Sequence, residues 1–265
     1  MGIFKQFFNN TRKPDGWMGK LMVNGMNQGH AAVSDWGLSY FPDVPGAAHS
    51  MLADFGCGGG RNTAALLKRF PAATVTALDY SKVACDKTKQ FNRHEVQIGR
   101  CNVVQGDVSR LPFEAATFDV ITAFETVYFW PGPVESFQEV WRVLKPGGRF
   151  LCSTYGNSHM KEISQLVSRF DERIVLSANK LYEKFGRENG AHVLEPWFSR
   201  VEWISYEDGL LVSDPEPLIS YILSCHGNQN RYLLDHYKEF RSFVKKKTEK
   251  GLHITKDAGI FICNY

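Results

Sequence analysis

Seven short apolar runs recur along the chain, and between most of them apolar residues repeat at helical spacing. Met51-Leu52-Ala53, Thr74–Leu78, Asn102–Gln105, Phe118–Phe124 and Arg149–Thr154 read as strands. The fourth is apolar on both faces, as expected for a strand inside a parallel sheet covered by helices. Helices are predicted over 61–70 and 82–93, and again where Val134, Phe137, Val140, Trp141 and Leu144 recur, with a stop at Lys145-Pro146-Gly147-Gly148. Strand–helix alternation of this length predicts a doubly wound α/β sheet with its ligand at the carboxyl ends of the strands. Beyond it, 160–195 reads as helical, and 198–206 and 259–264 read as two more strands. Asp214-Pro215 opens a helix carrying Leu218, Tyr221 and Ile222, and Leu233, Tyr237, Phe240 and Val244 mark another. Before the first strand, Ile3, Phe4, Phe7 and Phe8 predict a short helix, and Ala31–Phe41 a second that ends before Pro42.

The first strand runs into Asp54-Phe55-Gly56-Cys57-Gly58-Gly59-Gly60. A strand, a glycine turn and a helix bring bare backbone close to a nucleotide-like ligand, where any Cβ would obstruct. Two details separate this turn from the dinucleotide fingerprint G-x-G-x-x-G. Arg61 stands where the third glycine belongs, and Asp54 would repel a pyrophosphate. An anion there suits a ligand that carries a cation, which argues against a nicotinamide-dependent oxidoreductase. Asp79 ends the second strand, placed to accept from the two ribose hydroxyls, with Tyr80 beside the adenine. Ser81 is available to cap the following helix. Gly106-Asp107-Val108 ends the third strand, where Asp107 can accept from an exocyclic amine and the Val108 backbone can read the ring edge.

The stretches D-F-G-C-G-G-G, A-L-D-Y-S, Q-G-D-V-S-R-L-P-F, F-D-V-I-T-A-F-E and L-K-P-G-G-R-F, in this order, resemble the Methyltransferase-11 type domain over about residues 50–155. That broad group of class I methyltransferases includes the ubiquinone/menaquinone-biosynthesis enzymes. The resemblance implies S-adenosyl-L-methionine as cofactor, S-adenosyl-L-homocysteine as product, and a Rossmann-like, mostly parallel seven-stranded sheet whose last two strands form an antiparallel edge pair. The cofactor site it implies is Asp54, Gly56, Cys57, Gly58, Asp79, Tyr80, Gly106, Asp107, Val108 and Phe124, with the backbone after Phe124 facing the methionine end. In-line displacement on a sulfonium needs alignment and desolvation, and a base only when the nucleophile arrives protonated. His30, Glu125, Tyr128 and Tyr155 are the catalytic candidates, the first from the N-terminal cover and the rest from loops after strands four and five.

The expected organisation is a helical cover at 1–45, a cofactor-binding core at 46–213, a helical lid at 214–250 and the final core strand at 251–265. Residues 17–41 and 214–250 carry aromatic and apolar side chains beyond the sheet's needs, which suits a water-excluding lid. A net charge of +3 gives no reason to expect nucleic acid or a membrane surface, and Lys245-Lys246-Lys247 reads as a solvated helix end. The expected acceptor is a small, partly apolar molecule. A peptide terminus is the alternative, and a non-catalytic S-adenosylmethionine-binding partner protein is the reading from another class. The eight histidines and six cysteines show no metal-ligand spacing and no C-x-x-C pair, so no metal is expected. Scattered thiols, the lack of a membrane-length apolar run and the lack of a leader's long apolar core point to the cytoplasm. No pattern addresses oligomeric state.

Overall fold

The computed structural model describes residues 31–40, 50–177 and 180–265. Seven strands form one sheet: β1 (Met51–Phe55), β2 (Thr74–Asp79), β3 (Cys101–Gln105), β4 (Phe118–Ala123), β5 (Leu144–Tyr155), β6 (Arg200–Val212) and β7 (Leu252–Asn264). Their order is β3-β2-β1-β4-β5-β7-β6. The first five run parallel. β7 lies antiparallel between β5 and β6. This is the mostly parallel, doubly wound sheet with an antiparallel edge that the sequence leads one to expect. The strand order turns back at β1 and β4, and the carboxyl ends of those strands flank the crevice where such sheets bind ligands.

Alternation along the strands divides the core between the two faces. Leu52, Val120 and Leu151 pack with Leu38 of α1 (Ala31–Ser39) and Leu66 of α2 (Arg61–Arg69). On the other face Phe55, Ile121 and Phe150 pack with Phe137 of α5 (Pro133–Val143). Between these lie α3 (Lys82–Phe91) and the short α4 (Arg93–Gln97). The helix predicted to reach 93 stops at Phe91, because the Asn92 side chain turns back and its Nδ2 donates to Gly60 O (3.0 Å) and Thr88 O (3.1 Å). The stop at Lys145–Gly148 is an irregularity in β5 rather than a loop before it. Leu144 already pairs with Phe118, and the register shifts before Val120 pairs with Arg149.

Two other expectations are corrected. Residues 160–195 do not form one helix but α6 (Lys161–Phe170) and the short α7 (Leu181–Lys184) and α8 (Gly190–Leu194). The bend between the last two has a physical cause: a Cβ on Gly190 would come within 2.7 Å of Phe261 Cζ, so glycine lets this backbone settle on β7. The terminal strands are also longer than predicted. β5 pairs with β7 only from Ala258 onward, whereas β6 and β7 pair throughout, so 207–212 and 252–257 continue beyond the sheet as a two-stranded ribbon.

That ribbon carries α9 (Pro215–Ser224), α10 (Gln229–Leu233) and α11 (Tyr237–Thr248). Asp214 caps α9 by accepting from the Glu216 amide at 3.1 Å. Leu218, Ile222, Leu233, Phe240 and Val244 close on Ile163, Leu166 and Val167 of α6 and on Ile254, making a third core apart from the two beneath the sheet. Among the described residues, no helix is long and apolar enough to cross a membrane.

Candidate functional site

The turn after β1 depends on backbone that only glycine adopts without strain. Gly56, Gly58 and Gly60 have φ of +78°, +53° and +83°. The amides of Gly56 and Cys57 both donate to Leu78 O, at 2.7 and 3.1 Å, which fixes the turn against β2. A Cβ on Gly56 would come within 2.7 Å of Thr126 Cβ, so the loop after β4 packs directly on the turn. On Gly58 it would meet nothing within 4 Å. The turn is thus closed beneath Gly56 and Gly60 and open at Gly58, as a cradle for a ligand requires.

Three carboxylates surround it, one at or just beyond the carboxyl end of each of the first three strands. Asp54 is buried and accepts from Thr63 Oγ1 (2.7 Å) and Thr122 Oγ1 (3.2 Å). Burial pushes its carboxyl up to about 6, against the lowering effect of the two hydroxyls. Asp79 accepts from the Gly58 amide through Oδ2 (2.9 Å) and from the Ser81 amide through Oδ1 (2.8 Å). Burial raises its pKa despite those amides. The Tyr80 amide also favours the ionised form, and a carboxylate, which offers about four acceptor positions, still has room for a further donor. Ser81 Oγ caps α3 by accepting from the Ala84 amide at 3.3 Å. Asp107 binds the Ser109 amide and hydroxyl through Oδ1 alone, at 2.9 and 2.8 Å. Gly106 donates to Asp79 O (3.0 Å), Tyr80 is exposed and Val108 is buried. Cys57 is buried and accepts from Thr88 Oγ1 at 3.3 Å; burial pushes its thiol well up, which makes it a packing residue and not a nucleophile.

Across the crevice, the Phe124 ring turns into the core, facing Gly37 of α1, where a Cβ would lie 2.9 Å from Phe124 Cε1. The next residue, Glu125, has φ +56°, a left-handed conformation that strains a residue with a Cβ. Ser153 of β5 holds it there: the Glu125 amide donates to Ser153 Oγ (2.6 Å), and that hydroxyl donates to Glu125 Oε1 (2.8 Å). Tyr128 donates to Glu125 Oε2 at 3.0 Å. Burial and the Glu125 carboxylate hold the Tyr128 phenol well above its ordinary range, and burial first, then Glu125, raises that of Tyr155. The Tyr155 ring lies 5.3 Å from Tyr128, 5.1 Å from His159 and 6.2 Å from Tyr182. The third core reaches this group through Tyr221, whose hydroxyl lies 3.7 Å from Met160 Sδ.

Glu125, Tyr128 and Tyr155 are therefore assembled in one cluster, while His30 lies outside the described residues. Ser153, His159 and Tyr182 belong to the same cluster and escape sequence reasoning. Ser153 could have been found by alternation, two residues before Tyr155 on one face of β5; the other two carry no signal. On the cover side, Arg61 Nη2 pairs with Asp35 Oδ2 at 2.5 Å and Trp36 packs on Tyr206 at 5.0 Å, tying α1 to the helix after the glycine turn and to β6. Among the described residues, no group of His, Cys, Asp or Glu could hold a metal ion.

Residues 53–152 match the family model described as Methyltransferase domain. The chain is 30% identical over 147 residues to "Uncharacterized methyltransferase At2g41040, chloroplastic" of Arabidopsis thaliana, covering 54% of this chain and 41% of that protein. It is 31% identical over 128 residues to a malonyl-[acyl-carrier protein] O-methyltransferase of Herminiimonas arsenicoxydans, covering 48% of this chain and 46% of the other. The matches span less than half the length of these relatives. Among solved structures, the putative methyltransferase bound to the Trm112 methyltransferase activator of Haloferax volcanii aligns with a TM-score of 0.58 and 15% identity, over 91% of this chain and 92% of its own. At that identity the likeness concerns the fold.

Proposed function

We propose that this chain, which carries a class I, S-adenosyl-L-methionine-dependent methyltransferase domain of the Methyltransferase-11 type, transfers the methyl group to a nitrogen, oxygen or carbon nucleophile of a small-molecule acceptor. One observation carries the reading: a glycine turn open at Gly58, bonded to Asp79 and packed against Thr126, lies beside the loop after β4 that holds Glu125 and Tyr128. Asp79 would hold the ribose hydroxyls, Asp107 and the Val108 backbone the adenine, and Asp54 with the backbone after Phe124 the methionine end. When bound, the cofactor supplies an electrophilic methyl on a positive sulfur. This chain's part is to align the acceptor over β4 and β5 and to exclude water, since displacement gains most from positioning and desolvation.

The same reading divides the chain into a cover (1–45), a core (46–213), a lid (214–250) and the final strand (251–265), with the lid closing on the Tyr155 cluster. The aromatic lining and the modest charge of +3 favour a small, partly apolar acceptor. All six cysteines are free and five are buried, which suits a reducing compartment such as the cytoplasm. Screening transfer of labelled methyl to metabolite, peptide and nucleic-acid pools tests the acceptor class. Activity confined to tRNA or DNA overturns it, and activity confined to peptides moves the assignment to a chain terminus.

Two measurements test the cofactor end. Asp79→Ala is expected to weaken S-adenosylhomocysteine binding by about 1–3 kcal/mol, the cost of leaving desolvated hydroxyls without their acceptor. An unchanged calorimetric Kd would remove Asp79 from the site. The second concerns pH. Asp54 is protonated below about 6 in the free protein, while a ligand ammonium favours the ionised form. Binding below pH 6 must therefore release that proton, and affinity falls by up to roughly tenfold per pH unit as pH drops through 6 to 5, levelling off above 6. Asp79 also titrates high, so Asp54→Asn serves as the comparison; a variant with the same pH profile as wild type would take Asp54 out of contact with the ammonium.

A further inference from the structure

Five buried side-chain atoms among the described residues have no hydrogen-bond partner: Arg61 Nη1, His159 Nδ1, Gln229 Oε1, Asn230 Oδ1 and Asn264 Oδ1. A buried polar atom left unpaired is costly, so each calls for an explanation. Gln229 and Asn230 lie in the third core, Asn264 ends β7 and Arg61 opens α2. His159 alone stands in the cluster at the carboxyl ends of β4 and β5, its ring 5.1 Å from Tyr155. Its loop is fixed on both sides, since the Ser158 amide donates to Asp257 Oδ2 (3.2 Å) and the Met160 amide donates to Thr255 O (2.8 Å).

Resting on the methyltransferase reading, we propose that His159 is a catalytic residue whose Nδ1 accepts the hydrogen of the acceptor's O–H or N–H, so that the acceptor is an alcohol, phenol or amine and not a carboxylate. The groups facing the imidazole are Glu125, Asp257 and Lys256, together with the Asp257 backbone. The two carboxylates favour the imidazolium, but burial outweighs them and lowers its pKa, which keeps the ring neutral at pH 7. The Asp257 backbone favours a ring N–H. With Nδ1 unpartnered, that hydrogen belongs on Nε2, leaving a lone pair on Nδ1. A lone pair receives a hydroxyl or amine hydrogen and repels a carboxylate. In the transfer, a lone pair on the acceptor forms the bond to the methyl carbon. The carbon–sulfur bond breaks with its electrons going to sulfur, the acceptor's proton passes to Nδ1, and the imidazolium later loses it to solvent.

The test has two arms. In protein labelled with 15N-histidine, with and without S-adenosylhomocysteine, His159 assigned by its loss in His159→Gln or His159→Asn is expected to show an unprotonated Nδ1 and a protonated Nε2 at pH 7. A proton on Nδ1 overturns the proposal whatever the acceptor. In the second arm, methyl transfer from labelled S-adenosylmethionine is measured against phenols, alcohols, amines and carboxylates. Phenols, alcohols or amines should be methylated, and His159→Ala should lower kcat by about 10²-fold or more. Free imidazole should restore part of it, and the Kd for S-adenosylhomocysteine should stay unchanged. Turnover of carboxylates alone, or full kcat in His159→Ala, overturns the assignment. A wild-type protein that fails to bind S-adenosylhomocysteine sinks the methyltransferase reading instead, and the tautomer still reports on His159 by itself.

Discussion

Gly60→Ala is expected to cost about 2–5 kcal/mol of stability and to unmake the ligand site, whereas Gly58→Ala should cost only its left-handed strain, about 1–2 kcal/mol, and so fold while losing binding. At Gly60 the backbone has φ +83°, and an added Cβ would lie 2.8 Å from Thr88 Cα and 2.7 Å from Asn92 Nδ2. The left-handed conformation contributes about 1–2 kcal/mol of that cost, and overpacking about 1–3 kcal/mol. Thr88 Cα belongs to α3 and cannot swing aside, and Asn92 would lose its bond to Gly60 O. Gly58 shares the left-handed backbone, but its Cβ would point into open space. If the cofactor fills that space, the methyl group displaces it, weakening binding by about 1–3 kcal/mol on the scale of overpacked sites. Thermal melts beside calorimetric titration with S-adenosylhomocysteine separate the two effects. Wild-type affinity in Gly58→Ala would mean that the ligand does not lie against this turn.

The cofactor half of the site is legible in the sequence because it follows from strand ends alone. In a parallel sheet an apolar run stops where the chain leaves the core, so Asp54 and Asp79 declare themselves as the first polar residues at the carboxyl ends of β1 and β2. The acceptor half is legible only in part. Glu125, Tyr128 and Tyr155 follow β4 and β5 closely and inherit their positions. His159 does not, because its surroundings come from Asp257 on β7, far along the chain. The outer ends of β6 and β7 are hidden for a similar reason. The predicted strand stops at Tyr206, yet the ribbon persists through Glu207-Asp208-Gly209 because each residue pairs across it and Asp208 accepts from Lys256 Nζ at 2.8 Å. Apolar spacing past Phe170 suggests more helix, but α6 ends there, and the bend between α7 and α8 goes with the close approach of Gly190 to Phe261.

Phe240→Ala is expected to open the α9–α11 unit while leaving the sheet intact. Phe240 is fully buried in the third core, its ring 5.1 Å from that of Phe170. Removing so large a buried ring costs about 3–5 kcal/mol. That core is separate from the two on the sheet faces, so the loss should fall on one cooperative unit. Amide exchange should quicken across 215–248 and α6 but stay slow in β1, β2 and β4. Asp54, Asp79 and Asp107 stand at or just beyond the ends of β1, β2 and β3, away from this unit, so S-adenosylhomocysteine should bind nearly as before. Methyl transfer should fall steeply, because Tyr221 would no longer be held against Met160 and water would reach the Tyr155 cluster. Exchange that quickens evenly throughout the sheet would show the unit is not independent. Undiminished turnover with α9–α11 open would show that the segment does not act as a lid.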